Sequence, residues 1–169
     1  TLTNVIISRK ITKMKKLSII IGLMLTFLPF TGFSLEIGKW IFVEDEDWCY
    51  IGSLPIKSDL PENKKRGDNY ILVYKLIGSD DNIIQIEAGY NYNQKSDIIV
   101  KIDKTEYNFY TIEDSQDTAW TDDDNKVIYA MKKGLDLILT GESTRGTVTN
   151  DTYTLKGFTS AFNKLNEDC

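Results

Sequence analysis

The sequence predicts an all-β fold: an antiparallel β-sandwich or flattened barrel with one short internal helix and a short C-terminal helix. Three observations point there. From Lys39 onward apolar and polar residues mostly alternate, the period of a half-buried strand. Clusters of Gly, Asp, Asn and Ser separate the alternating runs, as turns require. The pattern changes to a helical period in two places, after Thr121 and after Gly157.

The elements follow in order. Trp40 to Val43 and Trp48 to Ile51 read as two short strands joined across the acidic turn Glu44 to Asp47. A polar loop, Lys57 to Asn69, carries Pro61 and Gly67. Next, "NYILVYKLIG" sets Tyr70, Leu72, Tyr74 and Leu76 on one face and Ile71, Val73 and Lys75 on the other. "IIQIEAGY" alternates through Ile84, Ile86, Ala88 and Tyr90, and a third strand from Asp97 to Lys104 alternates through Ile98, Val100 and Ile102. With turns at 78–82 and 91–96, these three predict an antiparallel meander.

The internal helix starts at the acids Asp122 to Asp124, carries Val127, Ile128 and Met131 as its apolar stripe, and ends in Lys132 and Lys133 with Gly134 as C′ residue. Strands resume at Leu135 to Gly141 and at Thr147 to Leu155, the latter interrupted by Asn150-Asp151. Phe158, Ala161, Phe162 and Leu165 then form one face of the closing helix.

Residues 1–34 stand apart from this pattern. They contain Arg9, Lys10, Lys13, Lys15 and Lys16 and no acid. Met14-Lys15-Lys16 followed by the apolar run Leu17 to Phe30, with Gly32 and Ser34 at the −3 and −1 positions, reads as a secretory signal cleaved before Leu35. As a helix that run spans about 21 Å, short of the roughly 30 Å of a bilayer core, so no membrane span is expected after cleavage. Leu35, rather than a cysteine, follows the cleavage point, which argues against a lipoprotein. The expected organisation is therefore 1–34 as upstream residues plus signal, with Met14 as the start, and 35–169 as a single β-rich domain of about 135 residues, enough to bury a sizeable core. The expected location is periplasmic or secreted.

With the five basic residues of the signal region set aside, 15 basic and 25 acidic residues remain, a net −10. Such a domain repels phosphate backbones, and no nucleic-acid partner is expected. Export also bears on the two cysteines. In an oxidising compartment Cys49 and Cys169 have one intramolecular pairing, a structural disulfide closing a loop of about 120 residues, for which loop-entropy models give about 4–5 kcal/mol. Two unrelated thiols, or a Cys169 that pairs between molecules, are the alternatives.

The chain has no histidine, which excludes Ser-His-Asp and Cys-His catalysis and leaves few ligands for zinc. "GESTRG" resembles a nucleophile elbow but has the spacing G-x-S-x-x-G, with no histidine to activate Ser143. Asp122 to Asp124 lack the Gly and Glu positions of a calcium loop and suit a helix start better. "RGD", Arg66 to Asp68, matches an adhesion tripeptide, but turn chemistry before a strong strand explains it. No catalytic residue, cofactor or metal is therefore assigned. Glu142 with an unnamed acidic partner is what an envelope hydrolase would use. Tyr90, Tyr92, Tyr107, Phe109 and Tyr110 either pack in the core or line a groove, and Tyr92, Tyr107 and Tyr110 are the candidate binding surface.

Several segments together, "GKWIFVEDEDWCYIGS", "RGDNYILVY", "IEAGYNY", "AMKKGLDLILTGESTRGT" and "TYTLKGFTSAFNKL", resemble the invasion-associated locus B family of exported bacterial proteins. The tail with Leu155, Gly157, Phe158 and Ala161 carries the resemblance most strongly. It implies a small β-rich exported domain without established enzymatic chemistry, in a family named for association with host-cell invasion in some pathogens. This chain has few cysteines for that family and no evident adhesion module. The expected function is a non-enzymatic interaction or envelope role with an unknown envelope or extracellular protein or glycan, the carboxylate hydrolase being the alternative.

Overall fold

The structure, a computed structural model, describes residues 34–169. The upstream residues and the expected signal, Ser34 excepted, lie outside the described residues. In chain order the elements are β1 (Ile41–Glu44), β2 (Trp48–Ser53), β3 (Lys57–Ser58), β4 (Tyr70–Leu76), β5 (Ile83–Glu87), β6 (Ile98–Ile102), β7 (Thr105–Ile112), β8 (Ser115–Trp120), α1 (Asp124–Lys133), β9 (Asp136–Glu142), β10 (Val148–Thr154) and α2 (Phe158–Asp168). The strands form one sheet in the order β1-β2-β4-β5-β8-β7-β6-β9-β10-β3, and each neighbouring pair is antiparallel. This is the expected class: an antiparallel sandwich or flattened barrel with an internal and a C-terminal helix.

Registry explains why one face is apolar. Cys49, Ile51 and Ser53 of β2 stand opposite Lys75, Val73 and Ile71 of β4, and Val73 and Ile71 in turn face Ile84 and Ile86 of β5. These side chains are all buried, so the face predicted to carry Ile71, Val73 and Lys75 is the inner one. In the other half, Ile98, Val100 and Ile102 line up with Leu139 and Leu137 of β9, and those with Asp151 and Tyr153 of β10. The two halves meet at the β7–β8 hairpin. At the far edges the chain passes from β2 into β3, and Trp40 Nε1 donates to the Thr154 carbonyl at 2.9 Å, drawing the β1 side toward β10.

The predicted meander is corrected. β4 and β5 pair, but β5 meets β8 through Ile86–Ala119 and Glu87–Thr118, while β6 pairs with β7 and β9. The physical reason is the β7–β8 hairpin, which has no counterpart among the predicted elements and occupies the edge of β5. Asn150-Asp151 does not interrupt its strand either: β10 is continuous, with Thr149, Asp151 and Tyr153 facing inward.

Both helices lie as expected, with Val127, Ile128 and Met131 of α1 and Phe158, Phe162 and Leu165 of α2 buried. Gly134 follows α1 as expected, its N–H bonded to the Ala130 carbonyl, but its backbone is not left-handed. Its φ is −76°, and a Cβ there would lie 2.6 Å from the Ile102 side chain and 3.0 Å from that of Leu155, so close packing requires the glycine. α2 packs on β1 and β2 and touches α1. Its N-terminal Phe158 meets Trp40 edge-to-face at 4.8 Å. Its far end is covalently fixed: Cys169 is bonded to Cys49, with Cα atoms 5.9 Å apart. Among the described residues no helix is long and apolar enough to cross a membrane.

Candidate ligand cleft and its buried ion pair

Three loops meet at one end of the sheet: the 59–69 loop before β4, the 88–97 connection after β5 and the β9–β10 turn at 143–147. Backbone bonds pin them together. Gly67 N donates to the Gly89 carbonyl at 2.8 Å, Thr144 N to the Asn91 carbonyl at 2.9 Å and Asn93 N to the Glu142 carbonyl at 2.7 Å. Gly89 has φ +72°, and a Cβ there would collide with the Gly67 backbone, so the close approach of the first two loops depends on this glycine.

Beneath the loops lies a buried ion pair. Asp151, fully buried on the inner face of β10, accepts from both guanidinium nitrogens of Arg66, Nη1 to Oδ2 at 2.7 Å and Nη2 to Oδ1 at 2.5 Å. Arg66 also donates to Ser58 Oγ at 3.1 Å. Two parallel bonds to one carboxylate match the planar fork of arginine, a geometry lysine cannot reproduce. Beside it, Tyr90 and Thr149 share a hydroxyl hydrogen bond of 2.7 Å. Tyr92 and Tyr153 are fully buried in the same region, and burial raises both phenols well above their ordinary pKa. They therefore remain neutral at any physiological pH. The Asn69 amide nitrogen neighbours the Tyr153 hydroxyl, but without good hydrogen-bond geometry between them.

Above the pair opens a cleft of about 430 Å³, within the usual range of small-molecule sites. Lys64, Lys65, Arg66 and Arg145 line it, and no carboxylate does.

The residues singled out from sequence fall in separate places. Tyr92 has no exposed surface and Tyr107 is 8% exposed, whereas Tyr110 is 43% exposed. The three do not form one surface, which corrects that expectation. Tyr92 sinks because Gly141 on β9 faces it without a side chain; a Cβ there would lie 2.6 Å from its ring. Tyr107 and Phe109 lie on the inner face of β7, and Tyr110 on the outer face donates to Asp122 at 2.9 Å.

Arg66, the first residue of the adhesion-like tripeptide, turns inward to Asp151 and is not presented to a receptor. Glu142 accepts from Ser96 at 2.5 Å and Asn93 at 3.1 Å, and these bonds hold its carboxyl below the ordinary range, the wrong direction for a general acid. Ser143 Oγ accepts from Thr147 N at 3.2 Å and serves the turn. Asp124 accepts from Ile84 N at 2.7 Å and ties α1 to β5. Among the described residues no three His, Cys, Asp or Glu side chains cluster as metal ligands.

Sequence reading missed the Arg66–Asp151 pair and the cleft above it. The available signal was an acid at an inward position of an alternating strand, which demands a cationic partner.

The model of the invasion associated locus B (IalB) protein family matches residues 44–166. Among solved structures, the chain is similar to invasion associated protein b from Bartonella henselae, with 14% sequence identity and a TM-score of 0.47 over 75% of this chain and 96% of that one. No curated protein matches it.

Proposed function

The chain belongs to the invasion associated locus B family, and from that membership we propose that it is an exported, non-enzymatic protein of the bacterial envelope or its exterior that acts by binding. The observation that carries this reading is the Cys49–Cys169 disulfide, which uses both cysteines of the sequence and suits an oxidising compartment. The basic and apolar stretch from Met14 to Phe30 supports the same location. Binding rather than turnover is supported by how the reactive groups are held. The buried phenols stay protonated, Glu142 is stabilised as its anion, and Ser143 has no histidine to activate it. Where the source bacterium is a pathogen, contact with host cells is the role the family name suggests.

Cross-linking in intact cells, followed by mass spectrometry of what is attached, tests the reading. One recurrent envelope or host component is the expected result. Attachment to cytosolic proteins alone would contradict it, and turnover of a cell-wall glycan that vanished in Glu142→Gln would replace it with the hydrolase.

A further inference from the structure

We propose that the cleft above the Arg66–Asp151 pair binds a small anionic saccharide, one bearing a phosphate or carboxylate group. The proposal rests on the reading of the chain as a binding protein.

Charge is the first argument. In residues 35–169 acids outnumber bases 25 to 15, yet the cleft gathers four cations and no acid in its lining. Arg66 is neutralised by Asp151, and the nearby Asp59 accepts two hydrogen bonds from Asn150. Lys64, Lys65 and Arg145 are exposed and make no ion pair among the described residues. Three uncompensated cations on two facing loops attract an oxyanion, and the guanidinium of Arg145 can meet it with two parallel bonds. A long polyanion would meet the acidic remainder of the domain. A ligand confined to the cleft meets the lining cations at contact range, where a Debye length of roughly 8–10 Å screens them least.

Shape and chemistry of the walls supply the second argument. At about 430 Å³ the cleft is far larger than a bare oxyanion needs. Its remaining lining carries the hydroxyls of Thr144 and Thr147, together with the less accessible ones of Ser143 and of the mutually bonded Tyr90–Thr149 pair. Those groups suit the alternating donors and acceptors of a sugar ring, with its charged substituent turned toward Lys64, Lys65 and Arg145. The third argument is preorganisation. Backbone bonds between loops and the buried ion pair hold the walls in place, which lowers the ordering cost of binding.

The test titrates the purified, disulfide-intact protein with glucose 6-phosphate, glucuronate, glucose and inorganic phosphate, following backbone amide shifts by NMR. One or both anionic sugars should bind, perturbing Gly67, Tyr90 and Thr144, and the phosphorylated and carboxylated probes show which anion is preferred. Glucose and inorganic phosphate should bind at least about tenfold more weakly, because each supplies half of the recognition. Lys64→Glu and Arg145→Glu lie on exposed loops, and with an unchanged Tm each should weaken binding about tenfold or more.

Failure of both sugars to bind, equal binding of glucose, inorganic phosphate binding as tightly as the anionic sugars, or unchanged affinity in both variants would each overturn the proposal. The recovered sugar is checked for chemical change. Turnover would contradict the non-enzymatic reading while leaving the cleft assigned, so the two failures are distinguishable.

Discussion

Asp151 is a carboxylate with no exposed atoms, kept in the interior by a single arginine 85 residues away in sequence. A buried charge that loses its partner is left with its full desolvation penalty, so Arg66→Ala should destabilise the protein by about 3–5 kcal/mol in denaturant unfolding. Replacing both members with apolar residues should cost much less than the two single changes summed.

Asp124 offers a prediction in pH. Burial raises its carboxyl pKa, outweighing the hydrogen bond from Ile84 N that favours the anion. The native state therefore holds that proton more tightly than the unfolded chain. Its contribution is greatest below the unfolded value and is lost as pH rises through the folded one. Asp124→Asn keeps the acceptor for Ile84 N and removes the titration. Its stability relative to wild type should rise across that window, and Asp124→Ala, which also loses the acceptor, should lie below Asp124→Asn by about 1–2 kcal/mol at every pH.

At this scale the sequence was hard to read. Arg66 sat in a tripeptide that turn chemistry explained, and Asp151 looked like a strand break, because a single charge in an alternating run has no visible partner until the chain is folded.

Among the elements, those with strict alternation or a clean helical stripe were legible: β4, β5, β6, α1 and α2 lie where their apolar residues put them. β7 and β8 were not. Their inward positions combine Tyr107 and Phe109 with the small Ala119, and their outward ones are largely polar, so the aromatics read equally as core or as lining of a groove and marked no strand. Missing that hairpin also made the pairing of β5 with β6 look natural. α2 depends on two attachments of different kinds, an apolar face and a covalent end. Cys169→Ser should cost up to about 4–5 kcal/mol by removing the loop constraint. In native-state hydrogen exchange the last turn of α2 should lose protection, while the turn around Phe158, held by Trp40, keeps it. Equal loss along the helix would mean that the apolar face does not hold it alone.

At the scale of the molecule, the antiparallel class and the two helices followed from residue periods, while strand order did not, because pairing across half the chain leaves no mark in local sequence. The disulfide belongs to this scale as well. It joins β2, at the start of the sheet, to the final residue, and such a bond suits an oxidising compartment. The cleft is a whole-molecule property too, since its walls come from loops about 80 residues apart and its charge is visible only against the acidic remainder.

The most direct test of the account is the intact mass of the protein recovered from the periplasm and the medium, after alkylation with and without prior reduction. The account predicts a chain beginning at Leu35 that takes no label until it is reduced and then takes two. A full-length mass confined to the cytoplasm, or two labels without reductant, would contradict it.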